Sequence, residues 1–411
     1  MTAPLCRFCK SPLTETFANL GSTPLSNSYL RPEQLNRMEP FYPLHALVCS
    51  VCFLVQIEEY QGPEAIFGDY SYFSSFSDTW LRHAHDFTMK AISTFHLTGE
   101  SQVIEIASND GYLLQYFQAG GIPVLGIEPA KNVARVAEEK GIPTLSRFFG
   151  TETARELVSM GKQADLLVGN NVLAHVPDLN DFVAGMKIAL RPGGIISMEF
   201  PHLMQMIQNN QFDTIYHEHF SYLSLCTVEK VFSAHGLKLF DVEELPTHGG
   251  SLRVFACHAD NVHESVSQRV SELRQRELSF GIQNLAVYAS FGERLRETKR
   301  ALLEFMIGAK RAGKSIAGYG APAKGNTLLN YCGIGTDFLD YTVDISPHKQ
   351  GHFLPGTHIP IYHPRVIRET RPDYVLILPW NLRDEIIEQL ADIREWSGRF
   401  VVPIPKVEVI E

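Results

Sequence analysis

Residues 103–111 read Val103, Ile104, Glu105, Ile106, Ala107, Ser108, Asn109, Asp110, Gly111. The first four form an apolar strand interrupted by one acid, and the small and polar residues after them turn the chain into a helix. Working outward, short apolar runs at Val124 to Ile127, Asp165 to Val168 and Gly194 to Glu199 alternate with helical stretches. Strands alternating with helices predict an α/β fold on a parallel, doubly wound sheet. Ligands of such sheets sit beyond the carboxyl ends of the strands, so the turn after Ile106 is the expected cofactor position. The next strand ends Gly126, Ile127, Glu128, Pro129. That carboxylate, about twenty residues on, is placed to take both hydroxyls of a ribose.

Ahead of this stretch stand two Cys-x-x-Cys pairs, Cys6/Cys9 and Cys49/Cys52. Each pair places two thiolates on one side of a tight turn, and two such turns supply the four soft ligands of tetrahedral zinc. A disulfide between cysteines three apart is strained, and Cys226, Cys257 and Cys332 are scattered. No signal peptide or long apolar run opens the chain, which leads us to expect a cytoplasmic protein with reduced thiols and no membrane contact. The segment between the pairs is longer than the usual ribbon spacing of about 15 to 20 residues, so it must carry a hairpin or loop of its own. Four thiolates leave no open coordination position, and the zinc is expected to be structural.

The 411 residues suggest about three domains. We expect a zinc-binding domain over 1–68, the α/β domain over 69–261, a helical connector over 262–310 and a second, Rossmann-like α/β domain over 311–411. Within the α/β domain, Asp78 to Phe95 has apolar residues at helical spacing and reads as a covering helix; His83 and His85 in it fall on different faces and read as surface residues. The connector's expected buried stripe is Leu273, Phe280, Leu285, Phe291, Leu295, Leu302 and Phe305. A formal net charge of -10 argues against a general nucleic-acid binder, which needs a basic face. An anionic small molecule can still be held by helix N-termini and a few cationic side chains.

At Ala107 and Asn109 the glycines of a dinucleotide fingerprint are missing, which suits S-adenosylmethionine (SAM), a ligand without phosphate. Downstream, Asp165 to Val168 runs into Gly169, Asn170 and Asn171, and Leu190, Arg191, Pro192, Gly193, Gly194 precede another strand. In this order the segments resemble class I SAM-dependent methyltransferases. Further on come Phe212, Asp213, Thr214, Ile215, Tyr216, His217, Glu218, His219, Phe220; then Leu245, Pro246, Thr247, His248, Gly249, Gly250; then Gly318, Tyr319, Gly320, Ala321, Pro322, Ala323, Lys324. With the cysteine pairs, the chain resembles from end to end the sugar C-methyltransferases that act on nucleotide-linked keto-deoxyhexoses.

Carbon methylation needs a carbanion, which a carbon next to a ketone supplies once a base removes its proton. The resemblance places Tyr216, Glu218 and His219 at the sugar, with His219 as the base, a role suited to the pKa of imidazole. On the residues alone, a structural histidine is the more ordinary reading. The expected cofactor set is Glu105, Ala107, Asn109, Asp110, Gly111, Glu128, Asn170 and Asn171. On the substrate side the resemblance implies one of Tyr70 and Tyr72, with Ser74 and Ser75. His248 is expected to bond the ketone or a sugar hydroxyl, and His175 either lines the pocket or caps a helix. Gly318, Gly320 and Lys324 open a helix after a strand: either a phosphate contact or a turn kept for packing. The implied activity is methyl transfer from SAM to carbon 3 of a dTDP-linked 4-keto-deoxysugar by a monomer. Competing readings are O-methylation, another sugar carbon, or a zinc-ribbon module that binds RNA or protein on a methyltransferase-like fold.

Overall fold

The structure, a computed structural model, describes residues 3–64 and 73–411. Between the two cysteine pairs lie β1 (Glu15–Thr23) and β2 (Tyr42–Val48), an antiparallel pair, and β3 (Val55–Ile57) follows the second pair. The long spacing between the pairs therefore holds its own hairpin.

The central sheet takes β4 (Val103–Ile106), β5 (Val124–Ile127), β6 (Thr144–Leu145), β7 (Ala164–Asn170) and β8 (Leu190–Pro201). After β8 come β9 (Ser221–Tyr222), β10 (Leu237–Leu245) and β11 (Ser251–His258). The spatial order is β10-β11-β8-β7-β4-β5-β6. Every residue of β4 and β5 is buried, as expected of strands covered on both faces. The sheet is not wholly parallel as expected: β11 runs antiparallel to both β8 and β10. A parallel mate for β8 needs a crossover of a dozen or more residues, whereas β10 and β11 are joined by the short turn at His248 to Gly250. Order and direction together make this the class I SAM methyltransferase form of the Rossmann-like sheet. Strand order reverses at β4, which has β5 on one side and β7 on the other, and the ligand crevice of such a sheet lies there.

The strand β9 leaves this sheet. It pairs with β3, Val55 facing Tyr222 and Gln56 facing Ser221, and completes the N-terminal sheet in the order β1-β2-β3-β9. The cysteine-bearing segment is thus hydrogen-bonded to the chain immediately after His219.

The connector is two helices, Gln268–Phe280 and Leu285–Arg311, broken at Gly281. Phe291 of the second stacks on Phe17 of β1 at 4.6 Å between ring centroids. Both rings are fully buried, worth roughly 1.5–3 kcal/mol each. The C-terminal sheet holds β12 (Ile316–Tyr319), β13 (Tyr341–Val343), β14 (Ile361–Tyr362), β15 (Tyr374–Ile377), β16 (Arg399–Val402) and β17 (Glu408–Ile410). Its order is β14-β13-β12-β15-β16-β17, parallel except for β17. Among the described residues no helix is long and apolar enough to cross a membrane.

Candidate active site and metal centre

The two cysteine turns are built alike. Lys10 N–H donates to the Cys6 carbonyl and Phe53 N–H to the Cys49 carbonyl, each at 3.0 Å, and Lys10 and Phe53 both take left-handed φ. The turns bring the sulfurs of Cys6, Cys9, Cys49 and Cys52 within 4.8 Å of one another. Tetrahedral zinc with Zn–S near 2.3 Å would set them roughly 3.8 Å apart, so the cluster fits the ion. Donors already point at the sulfurs, Gln56 Nε2 to Cys6 at 3.2 Å and Val51 N–H to Cys49 at 3.4 Å. Four thiolates this close repel without a cation. The centre is also anchored to the catalytic half: Arg7 donates to the Pro177 and Ile57 carbonyls, and Thr227 Oγ1 to the Cys52 carbonyl.

At the cofactor turn the chain adopts the glycine-like backbone without the glycines. Ala107 has φ 56° and Asn109 φ 50°, followed by Gly111 at 77°. A left-handed alanine costs about 1–2 kcal/mol, and such strain concentrates at functional turns. Neighbouring Gly126 is needed for close approach, since a Cβ there would stand 2.4 Å from Ser108 Oγ. Glu128 is buried and accepts from Asn109 N–H at 2.9 Å and Ala130 N–H at 2.8 Å. Burial nonetheless pushes its carboxyl up to about 7. Burial also raises Glu105 well above the usual carboxylate range.

Several buried oxygens here lack a partner among the described residues: Oδ1 of Asp110, Oδ1 of Asn170 and Oδ1 of Asn171. All are acceptors at the carboxyl ends of β4 and β7 or in the turns that follow. SAM brings the matching donors in its ammonium, ribose hydroxyls and adenine amine, so the residues present fit it. Ser74 N–H donates to Asn109 Oδ1 at 2.8 Å, and Lys140 Nζ bridges Ser75 Oγ to Asp110 Oδ2. The contacts of Ser74 and Ser75 are thus with the cofactor turn. Tyr70 and Tyr72 lie outside the described residues.

The Phe212–Phe220 segment meets the short helical turn Leu173–His175 that follows β7. His219 Nδ1 lies 2.9 Å from the Thr214 carbonyl and Nε2 2.8 Å from the Tyr216 hydroxyl. His175 meets the His219 ring edge-on at 4.6 Å. Burial, together with the neighbouring His175, His248 and Lys324, drives His219 well below its ordinary value. His175 and His248 are pushed down to about 4, chiefly by burial. Burial thus favours the neutral form of all three imidazoles. Glu218 accepts from Asn27 Nδ2 at 2.6 Å, a tie from the zinc-bearing segment. Asn171 Nδ2 donates to His248 Nε2 at 3.0 Å, linking the cofactor side to the histidine side.

Three family models match in succession: a zinc binding domain over residues 6–67, a methyltransferase domain over 80–242 and a C-methyltransferase C-terminal domain over 246–405. The C-methyltransferase NovU of Streptomyces niveus is 37% identical over 405 residues, 98% of this chain and 96% of that protein. The chain belongs to this family of SAM-dependent C-methyltransferases. A ubiquinone biosynthesis O-methyltransferase of Methylobacterium sp. (strain 4-46) is 34% identical over 97 residues, 23% of this chain and 38% of that protein. Among solved structures, an S-adenosylmethionine-dependent methyltransferase from Clostridium acetobutylicum aligns with 43% of this chain and 91% of that chain, at 12% identity and a TM-score of 0.35.

The C-methyltransferase is an enzyme that uses SAM and carries a structural zinc centre, as its motifs imply. One group that sequence reasoning set aside packs among the candidate site residues. His83 is not a surface residue: its Nε2 bonds Glu199 at 2.8 Å while its ring stacks on Trp80 at 5.0 Å. Trp80 in turn touches His248 at 5.3 Å. Glu199, fully buried at the end of β8, also accepts from Arg253 at 2.6 Å and Thr247 Oγ1 at 2.8 Å. Burial alone would raise Glu199, but His83 and Arg253 hold it down to about 2. A permanent carboxylate thus fastens the covering helix to the turn that bears His248. No local pattern in the sequence signals Glu199 beyond an acid in an apolar strand.

Lys324 of the C-methyltransferase does not point into solvent. Its Nζ donates to Asn381 Oδ1 at 2.6 Å and lies 4.8 Å above the Trp380 ring. Gly249, next to His248, serves that packing, because a Cβ there would meet Trp380 at 2.5 Å.

Proposed function

We propose that the enzyme transfers the methyl group of SAM to carbon 3, next to the ketone of a dTDP-linked 4-keto-deoxysugar. His219 is the base and Tyr216 and Glu218 flank it. The observation that carries this reading is the state of His219. Its Nδ1 can only donate to a carbonyl, so the lone pair belongs to Nε2, and burial keeps the ring neutral at working pH. A neutral, oriented imidazole is what abstraction of an α-proton requires; methylation of a hydroxyl needs no acidic carbon. Bound SAM supplies an electrophilic methyl group to the carbanion. Asn171 and His248 connect the two halves of the site, and His248 offers a polar group to the ketone or a hydroxyl.

Carbon 3 and the dTDP moiety rest on the resemblance, and a monomer acting on a nucleotide sugar without nucleic-acid or membrane partners remains our reading of its partners. The test is incubation of purified protein with SAM and a panel of nucleotide-linked keto and non-keto sugars. Methylation confined to keto sugars is expected. Equal methylation of sugars without a ketone would exclude the enolate route.

A further inference from the structure

We propose that Lys324, reaching the histidine cluster from the C-terminal domain, is a catalytic residue whose ammonium group takes the negative charge that builds on the ketone oxygen as the α-proton leaves. The proposal rests on the keto-sugar reading above.

Lys324 is the second residue of the helix Ala323–Cys332 that follows the turn after β12. Its chain lies along Trp380, whose Nε1 donates to Asp213 Oδ2 at 2.7 Å. Asp213 precedes Thr214, the residue whose carbonyl orients His219. The other edge of Trp380 lies against Gly249, next to His248. The ammonium is therefore mounted on a wall formed by the two turns that carry the site's histidines. Among the described residues Nζ donates to one acceptor, the neutral amide of Asn381, and burial works against its charge while the neighbouring Asp213 carboxylate supports it. A desolvated ammonium with one neutral acceptor has two N–H groups left for an anion.

Its position distinguishes which anion. The charge of Lys324 depresses the proton affinity of both His219 and His248, which weakens the base. Negative charge developing on a ketone oxygen between lysine and base would offset that effect. In the step considered, the C–H bond breaks and its pair forms the new C=C bond. The carbonyl π pair moves to oxygen beside Nζ, and the proton passes to Nε2 of His219. A fixed charge aimed at a developing oxyanion acts on the transition state without reorganising. A diphosphate would be held equally before and after this step, so contact with it would act on substrate binding alone.

The test compares full-length wild type, Lys324→Gln and Lys324→Arg. Methylation rates, affinity for the keto-sugar nucleotide with S-adenosylhomocysteine present, and hydrogen exchange at the α-carbon in heavy water would be measured. Lys324→Gln is expected to lower kcat and exchange by roughly 10²–10³-fold with little change in affinity, and Lys324→Arg to recover part of both. The acid limb of any remaining Lys324→Gln activity should move to higher pH as His219 regains proton affinity, an effect that a merely structural lysine would not produce. Lys324→Gln that weakens binding of substrate and of free dTDP while turnover at saturation is kept would overturn the proposal in favour of a diphosphate contact. If Lys324→Gln does not fold, Lys324→Arg decides: a folded arginine variant with exchange as low as in protein lacking His219 would overturn it, since charge would not be what matters. Wild-type protein that methylates no nucleotide-linked keto sugar would instead overturn the function reading on which this rests.

Discussion

The carbonyl oxygen of Thr214 stands 2.9 Å from Nδ1 of His219. A carbonyl only accepts, so this contact assigns the ring proton to Nδ1 and leaves Nε2 as the basic atom, with the Tyr216 hydroxyl donating to it at 2.8 Å. Removing the base should cost the transition state far more than the ground state. His219→Asn is expected to lower kcat by roughly 10²–10⁴-fold with substrate affinity nearly unchanged. The variant should also lose hydrogen exchange at the α-carbon in heavy water with S-adenosylhomocysteine bound. Tyr216→Phe, which frees Nε2 but loosens the ring, should fall less. Exchange and methylation near the wild-type rate in His219→Asn would move the base to Tyr216 or His248.

Glu128 carries a pH signature. Burial raises its carboxyl to about 7, and the two ribose hydroxyls of SAM are donors that favour the carboxylate. Affinity for SAM should therefore rise as pH increases through 7, by up to about tenfold between pH 6 and 8, as the competent form goes from a minor to a major fraction. Glu128→Ala should weaken binding by about 1–3 kcal/mol and flatten this dependence. Calorimetry over the pH range checks both, and a flat wild-type profile would count against the assignment.

Zinc loss should reach the active site as well as the N-terminal sheet. β9, which pairs with β3, begins two residues after His219, and Asn27 holds Glu218. Chelation or Cys49→Ser is expected to lower the melting temperature by about 5 °C or more and to reduce activity in parallel. Metal analysis of the native protein should give one zinc per chain. A Cys49→Ser protein with unchanged melting would remove the metal centre from the account.

Glu199 answers to acid. Its folded value is depressed to about 2, so the stability it provides is present above the ordinary glutamate range and lost as pH falls from there toward 2. Glu199→Gln leaves the buried Arg253 without its closest carboxylate and should cost roughly 3–5 kcal/mol. Denaturant unfolding of the two proteins at neutral and acid pH should show the difference shrinking in acid. A gap that persists unchanged at low pH would point to lost packing instead of lost charge.

Legibility followed burial. Val103–Ile106 and Val124–Ile127 were readable to the residue because a strand covered on both faces shows as a largely apolar run between polar turns, broken in the first only by Glu105. Strand direction leaves no such mark, so β11 was not separable from a parallel strand. The cysteine spacing announced the metal centre, but nothing near residue 221 announced that two residues there would complete the N-terminal sheet. Helical periodicity put His83 and His85 on different faces correctly, yet it cannot say that one face meets Glu199, more than a hundred residues away. Lys324 was visible as a lysine after a strand; its direction depends on Trp380 and Asn381, which no local pattern connects to it.

The most direct measurement follows a ¹³C-labelled methyl group from SAM onto a dTDP-linked 4-keto-6-deoxysugar by NMR. Expected is a single new methyl signal bonded to the carbon next to the ketone, formed by the wild-type enzyme and absent with His219→Asn. A methoxy signal, or transfer that persists in His219→Asn, would contradict carbon methylation through a histidine base.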